Sequence, residues 1–140
     1  MQLKQMQTKT GHGRRIVAPR VNRKEVNVMK KVEAIVRPEM LAVVRRALEE
    51  LGVTGLTITQ VLGHGAQRGI TQQWKGNTYK VDLLPKVELK MIISDSLLEP
   101  VLEAIAESAR TGAVGDGKVF VSTVDEVMRV RTGERGPGAV

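Results

Sequence analysis

Val87-Glu-Leu-Lys-Met-Ile-Ile93 followed by Ser94-Asp-Ser-Leu-Leu-Glu-Pro-Val-Leu-Glu-Ala-Ile-Ala-Glu-Ser-Ala109 changes its apolar period in mid-course. Val87, Leu89, Met91 and Ile93 recur at every second position with Glu88 and Lys90 between them, which predicts a strand with one buried face. From Leu98 the spacing lengthens: Leu98, Leu102, Ile105 and Ala109 form the stripe of an amphipathic helix. Ser96-Leu-Leu-Glu99 has the spacing of a capping box at its start, although Pro100 falls near the first turn. Upstream, the same succession occurs a first time. Val32, Ala34 and Val36 alternate within Lys31–Val36, Pro38 suits a first helical position, and Leu41, Val44, Leu48 and Leu51 recur at helical spacing before Gly52. Leu56–Leu62 alternates again, and Val119–Val121 and Val127–Arg131 read as short closing strands. The order is βαβ twice, which predicts an α+β fold: a ferredoxin-like βαβ-βαβ two-layer sandwich with short C-terminal strands.

Strands two and three are separated by Gly63 to Pro85, a long connection without an apolar period. Such connections inside a compact domain are more often functional than not. This one carries Trp74 and Tyr79, two of the three aromatic residues in the chain, among Gln67, Arg68, Gln72, Gln73, Lys75, Asn77 and Lys80. A mobile polar loop bearing large aromatics is expected to contact something else.

The 140 residues suffice for one domain with a real core, and the absence of cysteine excludes disulfides, zinc thiolates and a thiol nucleophile. His12 and His64 leave little for a metal site or a Ser-His-Asp triad. Without a membrane-length apolar run or a signal-peptide core, the chain is expected to be a cytoplasmic protein that does not insert in a membrane. The net charge of +7 is unevenly placed: residues 1–28 hold seven basic residues against Glu25 alone, whereas residues 29–140 hold fifteen basic and fourteen acidic residues. The leader is expected to be disordered, and the domain to be residues 29–140. The leader reads as a tail for RNA or an acidic partner, as a solvated extension, or as a start read too early, since Met29-Lys-Lys-Val resembles a natural N-terminus; it lacks the serine of a transit peptide.

Chemistry concentrates near the C-terminus, in Thr111-Gly-Ala-Val-Gly-Asp-Gly-Lys118 and Arg129-Val-Arg131-Thr-Gly-Glu-Arg135. Gly112, Gly115 and Gly117 before Lys118 suit a loop that turns backbone N–H groups onto an anion, with an ammonium beside them. On a β-like run, Arg129 and Arg131 project from one face roughly 6–7 Å apart, a separation suited to adjacent phosphates. Gly112, Gly117 and Lys118 also fit the P-loop spacing, but Val119 replaces the hydroxyl that would hold Mg²⁺, and the loop leads into a strand instead of a helix. The reading is a nucleotide-phosphate site that is not a P-loop. Glu134 and Arg135 read as residues that fix the C-terminal turn.

The segments Met29–Pro38, Gly55–Thr59, Gly76–Lys86, Ala109–Ser122 and Arg129–Gly136, in this order and spacing, resemble the PII nitrogen-regulatory signal-transduction family. The resemblance covers Met29 to Val140 and implies a non-catalytic homotrimer that senses ATP, ADP and 2-oxoglutarate. It implies that Gly63 to Pro85 is the T-loop, which docks into partner proteins, and that Gly115, Asp116, Gly117 and Lys118 hold nucleotide phosphates. Arg129 and Arg131 would reach those phosphates from the neighbouring subunit. Thr57, Gly63 and Gly65 match positions lining the adenine and the T-loop base. Gln67 matches the glutamine that bridges Mg-ATP and 2-oxoglutarate, Lys86 the lysine that pairs with a 2-oxoglutarate carboxylate, and Tyr79 a uridylylated tyrosine. Implied partners include an ammonium channel, a modifying nucleotidyltransferase, an acetylglutamate kinase or a nitrogenase-linked target. His64, Ala66, Trp74, Lys75, Thr78 and Lys90 depart from the usual pattern, mostly in the T-loop and its foot. Two other classes fit less well. An ATP-consuming enzyme would need a base or a water-positioning group beside the phosphates. An RNA-binding sheet would need stacking aromatics, and Phe120 is the only strand aromatic.

Overall fold

The alternation in Lys31–Val36 becomes strand β1, Met29–Val36, in which Val32, Ala34 and Val36 are buried. A 3-10 turn opening at Pro38 leads into helix α1, Leu41–Glu50. Val44 and Leu48 of α1 are buried, and Leu41 and Leu51 pack beside them. The helix stops at Gly52, whose N–H donates to the Glu49 carbonyl at 2.9 Å. Strand β2 follows at Thr57–Gly63, then β3 at Ile70–Trp74, β4 at Asn77–Val81 and β5 at Leu84–Ser94. Helix α2, Leu98–Ala109, and strand β6, Gly117–Val124, complete the regular elements. The computed structural model describes residues 28–65, 70–81 and 83–140, with the backbone alone described over 70–74 and 78–81. Gln67 and all of the basic leader but Val28 lie outside the described residues.

Strands β2, β5, β1 and β6 form one antiparallel sheet in that order. Both helices lie on one face, so the molecule has two layers, as the duplicated βαβ pattern predicts. The register explains the core. Val32 stands between Met91 and Val121, and Ala34 between Leu89 and Val119. Side chains directly opposite share a face, so these apolar positions point toward the helices together. Leu48, Leu89, Met91 and Ile105 are fully buried, each contributing about 2 kcal/mol of transfer free energy.

On the opposite face, Glu33 lies across from Lys90 in the register. Lys90 Nζ is 3.9 Å from Glu33 and 3.8 Å from Glu88, and Lys31 Nζ is 3.2 Å from Glu33. Lys90 is therefore flanked by two carboxylates. These partly exposed pairs set charge complementarity more than stability.

The structure corrects four expectations. Val127–Arg131 is not a strand. Arg129 N–H donates to the Glu134 carbonyl and the Arg129 carbonyl accepts from Gly133 N–H, both at 2.8 Å, and only the bridge Met128–Arg135 is β-like. The segment turns back and satisfies its own backbone, so Arg129 and Arg131 do not share a strand face. Second, Gly63 to Pro85, expected to be a loop, contains strands: β3 and β4 form a separate two-stranded hairpin, with Trp74 paired to Asn77. Its two-residue turn places Lys75 at φ 48° and Gly76 at φ 79°, the conformation that matches the twist of paired strands. Third, no side-chain cap forms at α2. A 3-10 turn over Asp95–Leu97 precedes it, and Ser96 lies within that turn. Fourth, the buried stripe of α2 is Val101, Ile105 and Ala109, rotated from the expected one, with Leu98 and Leu102 only partly buried.

Candidate functional site

The glycine-rich segment closes on a single carboxylate. Asp116 Oδ2 accepts the N–H groups of Thr111 at 2.8 Å and Gly112 at 2.9 Å, and Oδ1 accepts a close hydrogen bond from the Thr111 hydroxyl. Thr111 Oγ1 also accepts Ala113 N–H at 3.2 Å. These donors, the Thr111 hydroxyl first among them, hold the Asp116 carboxyl well below the usual carboxylate range. The loop is therefore shaped by its own acidic residue, an internal pattern typical of Asp in turns.

Two cations reach the same loop from outside it. Arg37, directly after β1, donates from Nε to Asp116 Oδ1 at 3.2 Å and from Nη2 to the Val114 carbonyl at 2.7 Å. Lys86, on β5, donates from Nζ to the Gly115 carbonyl at 2.6 Å. Desolvation, with the Arg37 charge second, lowers the Lys86 pKa from its ordinary value. Binding loop carbonyls on this side leaves the N–H groups of Val114, Gly115 and Asp116 without a recorded partner among the described residues. Amides of this kind, beside two guanidinium or ammonium groups, form an electropositive concavity for an anion.

Gly117 fixes where the loop joins the sheet. It pairs with Val36 at the end of β1, and a Cβ placed on it would lie 1.7 Å from the Ile35 carbonyl oxygen. Only a glycine permits that approach at φ +111°. The next residue, Lys118, is exposed and stands opposite Ile35. It borders a cavity of about 220 Å³ whose lining includes Ile35, Ile105, Ala109 and Arg110. Lys86 lines a second cleft, of about 430 Å³, with Pro38, Val61, Leu62 and Pro85. Gln60 also lines this largely apolar cleft, whose Lys86 ammonium can seat one carboxylate of a small ligand.

The structure thus brings together Gly63, Lys86, Gly115, Asp116 and Gly117. Gly63 belongs to the cluster because a Cβ there would meet the Lys86 side chain at 3.1 Å. Thr57 sits farther along, at the start of β2 and opposite Lys90. Gly65 is exposed beyond the end of β2. Tyr79 lies on β4 opposite Gln72 in the hairpin. Arg129 and Arg131 belong to the C-terminal turn, and among the described residues neither is bonded to Thr111–Lys118. Arg37 is the site residue that the sequence reading passed over. The available signal was a basic residue immediately beyond a buried strand end, in Val36-Arg37-Pro38.

The family model described as Nitrogen regulatory protein P-II matches residues 29–134, most of the chain and all of the elements that build this site. This chain belongs to the P-II family. It is 50% identical over 112 residues to the Nitrogen regulatory protein P-II 2 of Methanothermobacter thermautotrophicus, covering 80% of this chain and 97% of that protein. Against the Nitrogen regulatory protein P-II of Azospirillum brasilense the identity is 49%, and against that of Rhodospirillum rubrum 48%, each over 80% of this chain and the whole relative. Membership assigns a nitrogen-regulatory signalling role, exercised as a regulatory protein and not as an enzyme, and a role of that kind implies protein partners. No helix among the described residues is long and apolar enough to cross a membrane.

Proposed function

We propose that this P-II family member is a cytoplasmic homotrimeric sensor that binds ATP or ADP, with Mg²⁺, and 2-oxoglutarate in its intersubunit clefts and signals through the segment Gly63–Pro85. The observation that carries the reading is the convergence of Arg37, Lys86 and the Asp116-closed loop around backbone N–H groups that have no partner among the described residues, next to Lys118. Gly115, Asp116 and Gly117 contribute backbone to the phosphates, and Lys118 contributes charge. Asp116 shapes the loop instead of facing the nucleotide, since its carboxylate is already occupied. Lys86 pairs with a carboxylate of 2-oxoglutarate in the apolar-walled cleft, and Arg37 beside it raises the positive potential there. Gln67 serves Mg²⁺ and 2-oxoglutarate, and Thr57, Gly63 and Gly65 flank the base.

Arg129 and Arg131 complete the phosphate site from a neighbouring subunit, in keeping with neither being bonded to Thr111–Lys118 among the described residues. A head-to-tail contact that closes after three copies satisfies this requirement. The hairpin β3–β4, detached from the main sheet, provides the output surface, and a two-stranded hairpin alone is marginal enough to re-form on a partner. Its targets are proteins of nitrogen metabolism: an ammonium channel, a nucleotidyltransferase or an acetylglutamate kinase. Calorimetric titration with Mg-ATP tests the site. The wild-type chain is expected to bind, and Lys118→Ala to bind at least about tenfold more weakly, the scale of a charge-assisted phosphate contact. Equal affinity of the two proteins would remove Lys118 from the site.

A further inference from the structure

Arg129 and Arg131 are equivalent in the sequence pattern but not in the structure. Arg129 Nη1 donates to Glu134 Oε2 at 2.8 Å, and Nη2 donates to the Gly138 carbonyl at 3.3 Å. Arg131 is exposed at the turn and makes no ion pair among the described residues. The turn holds Glu134 within reach of Arg129, because their backbones are joined by the Arg129 N–H to Glu134 carbonyl bond at 2.8 Å. A second closure lies beside the first: Arg135 pairs with Glu126 at 3.2 Å, and Gly136 N–H donates to Glu126 Oε1 at 3.1 Å. The Glu134 carboxylate also rests against Gly138, where an added Cβ would lie 2.7 Å from Oε1.

We infer that Glu134 is an internal competitor for the nucleotide: it clasps Arg129 with the C-terminal segment, and phosphate binding must draw the guanidinium away from it. This rests on the reading of Arg129 as a phosphate ligand. A carboxylate and a phosphate present the same kind of oxygen to the same planar donors. Whatever interaction the clasp supplies in the free protein is therefore subtracted from nucleotide affinity. Glu134 thereby sets the nucleotide concentration to which the protein responds, and nucleotide binding loosens Pro137–Val140. Because Glu134 is attached to the turn that presents Arg129, the competition operates in every subunit.

Two substitutions separate the clasp from a general change of charge. Glu134→Gln removes the competing anion. Gly138→Ala keeps the anion but displaces the flexible end of the Glu134 side chain, the atom that the new Cβ would meet. Calorimetric titration with ATP is expected to show about two- to fivefold tighter binding for Glu134→Gln, the range expected for a half-exposed ion pair, and a smaller tightening for Gly138→Ala. Unchanged or weaker binding by Glu134→Gln overturns the clasp and makes Glu134 an orienting residue. Tightening by Glu134→Gln alone, with Gly138→Ala unchanged, also overturns it by leaving only a net-charge effect. If neither the wild type nor either variant binds ATP, the nucleotide reading itself fails. If ATP binds only once Glu134 is removed or displaced, both readings stand.

Discussion

Replacing Gly117 with alanine should damage this protein more than replacing Gly112 at the start of the same loop. The new Cβ would lie 1.7 Å from the Ile35 carbonyl oxygen, 2.8 Å from its carbon and 3.2 Å from Val36 Cα, all of them backbone atoms. The residue would also have to hold φ +111°, outside the comfortable range of an L side chain. Dihedral strain at such a site costs about 1–3 kcal/mol. Relieving the clash requires Gly117 to part from Val36 at the edge of the sheet, which forfeits hydrogen bonds of about 1 kcal/mol each. The expected total is about 3–5 kcal/mol, a fall of roughly 10–20 °C in unfolding temperature for a domain of this size. Gly112→Ala is the matched control, since Gly112 also has positive φ (+87°) but meets nothing within 4 Å. It should lose only the strain, about 1 kcal/mol. Thermal unfolding followed by circular dichroism, at one fixed protomer concentration, makes the comparison. Equal losses in the two variants would refute the clash argument, and with it the claim that Gly117 fixes where the loop meets β1.

Three further outcomes are expected. Lys86→Ala should weaken 2-oxoglutarate at least about tenfold, because it removes a charge partner of the carboxylate, and should weaken ATP less, because Lys86 meets the phosphate loop through the Gly115 carbonyl; calorimetry with each ligand checks this. Because the Asp116 pKa is depressed in the fold, its stabilisation of the loop is fully present at neutral pH. That stabilisation declines as pH falls below the ordinary carboxylate pKa of about 3.9 and is lost through the lower folded value. The amide resonances of Thr111 and Gly112 should report the transition below that of an ordinary aspartate. Incubation with a P-II uridylyltransferase and UTP should add one UMP at Tyr79; mass spectrometry showing no addition, or addition that survives Tyr79→Phe, would remove Tyr79 as a switch while leaving the sensor reading intact.

What was legible in the sequence followed from burial. Val32, Ala34 and Val36, and likewise Val87, Leu89, Met91 and Ile93, alternate because one sheet face is covered by helices and the other is not. That constraint is local and strong, so both the strands and the layer order could be read. The hairpin β3–β4 gave no such signal. Its strand pairing is confined to β3 and β4, and its clearest mark was the Lys75-Gly76 turn. Val127–Arg131 alternates like a strand but pairs with no strand among the described residues, and the turn at Gly133 folds it back on itself. The start of α2 could be read either way because Ser96 and Pro100 compete, and the structure resolves them into a 3-10 turn followed by a helix.

Within the site, the glycines and Lys118 were visible as composition, because a positive-φ loop before a lysine is an unusual pattern. Arg37 was not visible, because its role depends on β1 and β6 being adjacent, which brings residue 37 to residue 116 across a long sequence separation. The contact between Lys86 and Gly115, though not the two residues themselves, likewise depends on the pairing of β5 with β1. The pairing of Lys90 with Glu33 also depends on register.

The central claim is that nucleotide and 2-oxoglutarate share one site in which each helps hold the other. The most direct measurement is calorimetric titration of the wild-type protein with 2-oxoglutarate in the presence of Mg-ATP, in the presence of ADP, and without nucleotide. Affinity is expected to be highest with Mg-ATP and poor in the other two cases, since ADP lacks the γ-phosphate and reciprocity requires 2-oxoglutarate to tighten ATP by the same factor. Equal affinity for 2-oxoglutarate under all three conditions would contradict the account.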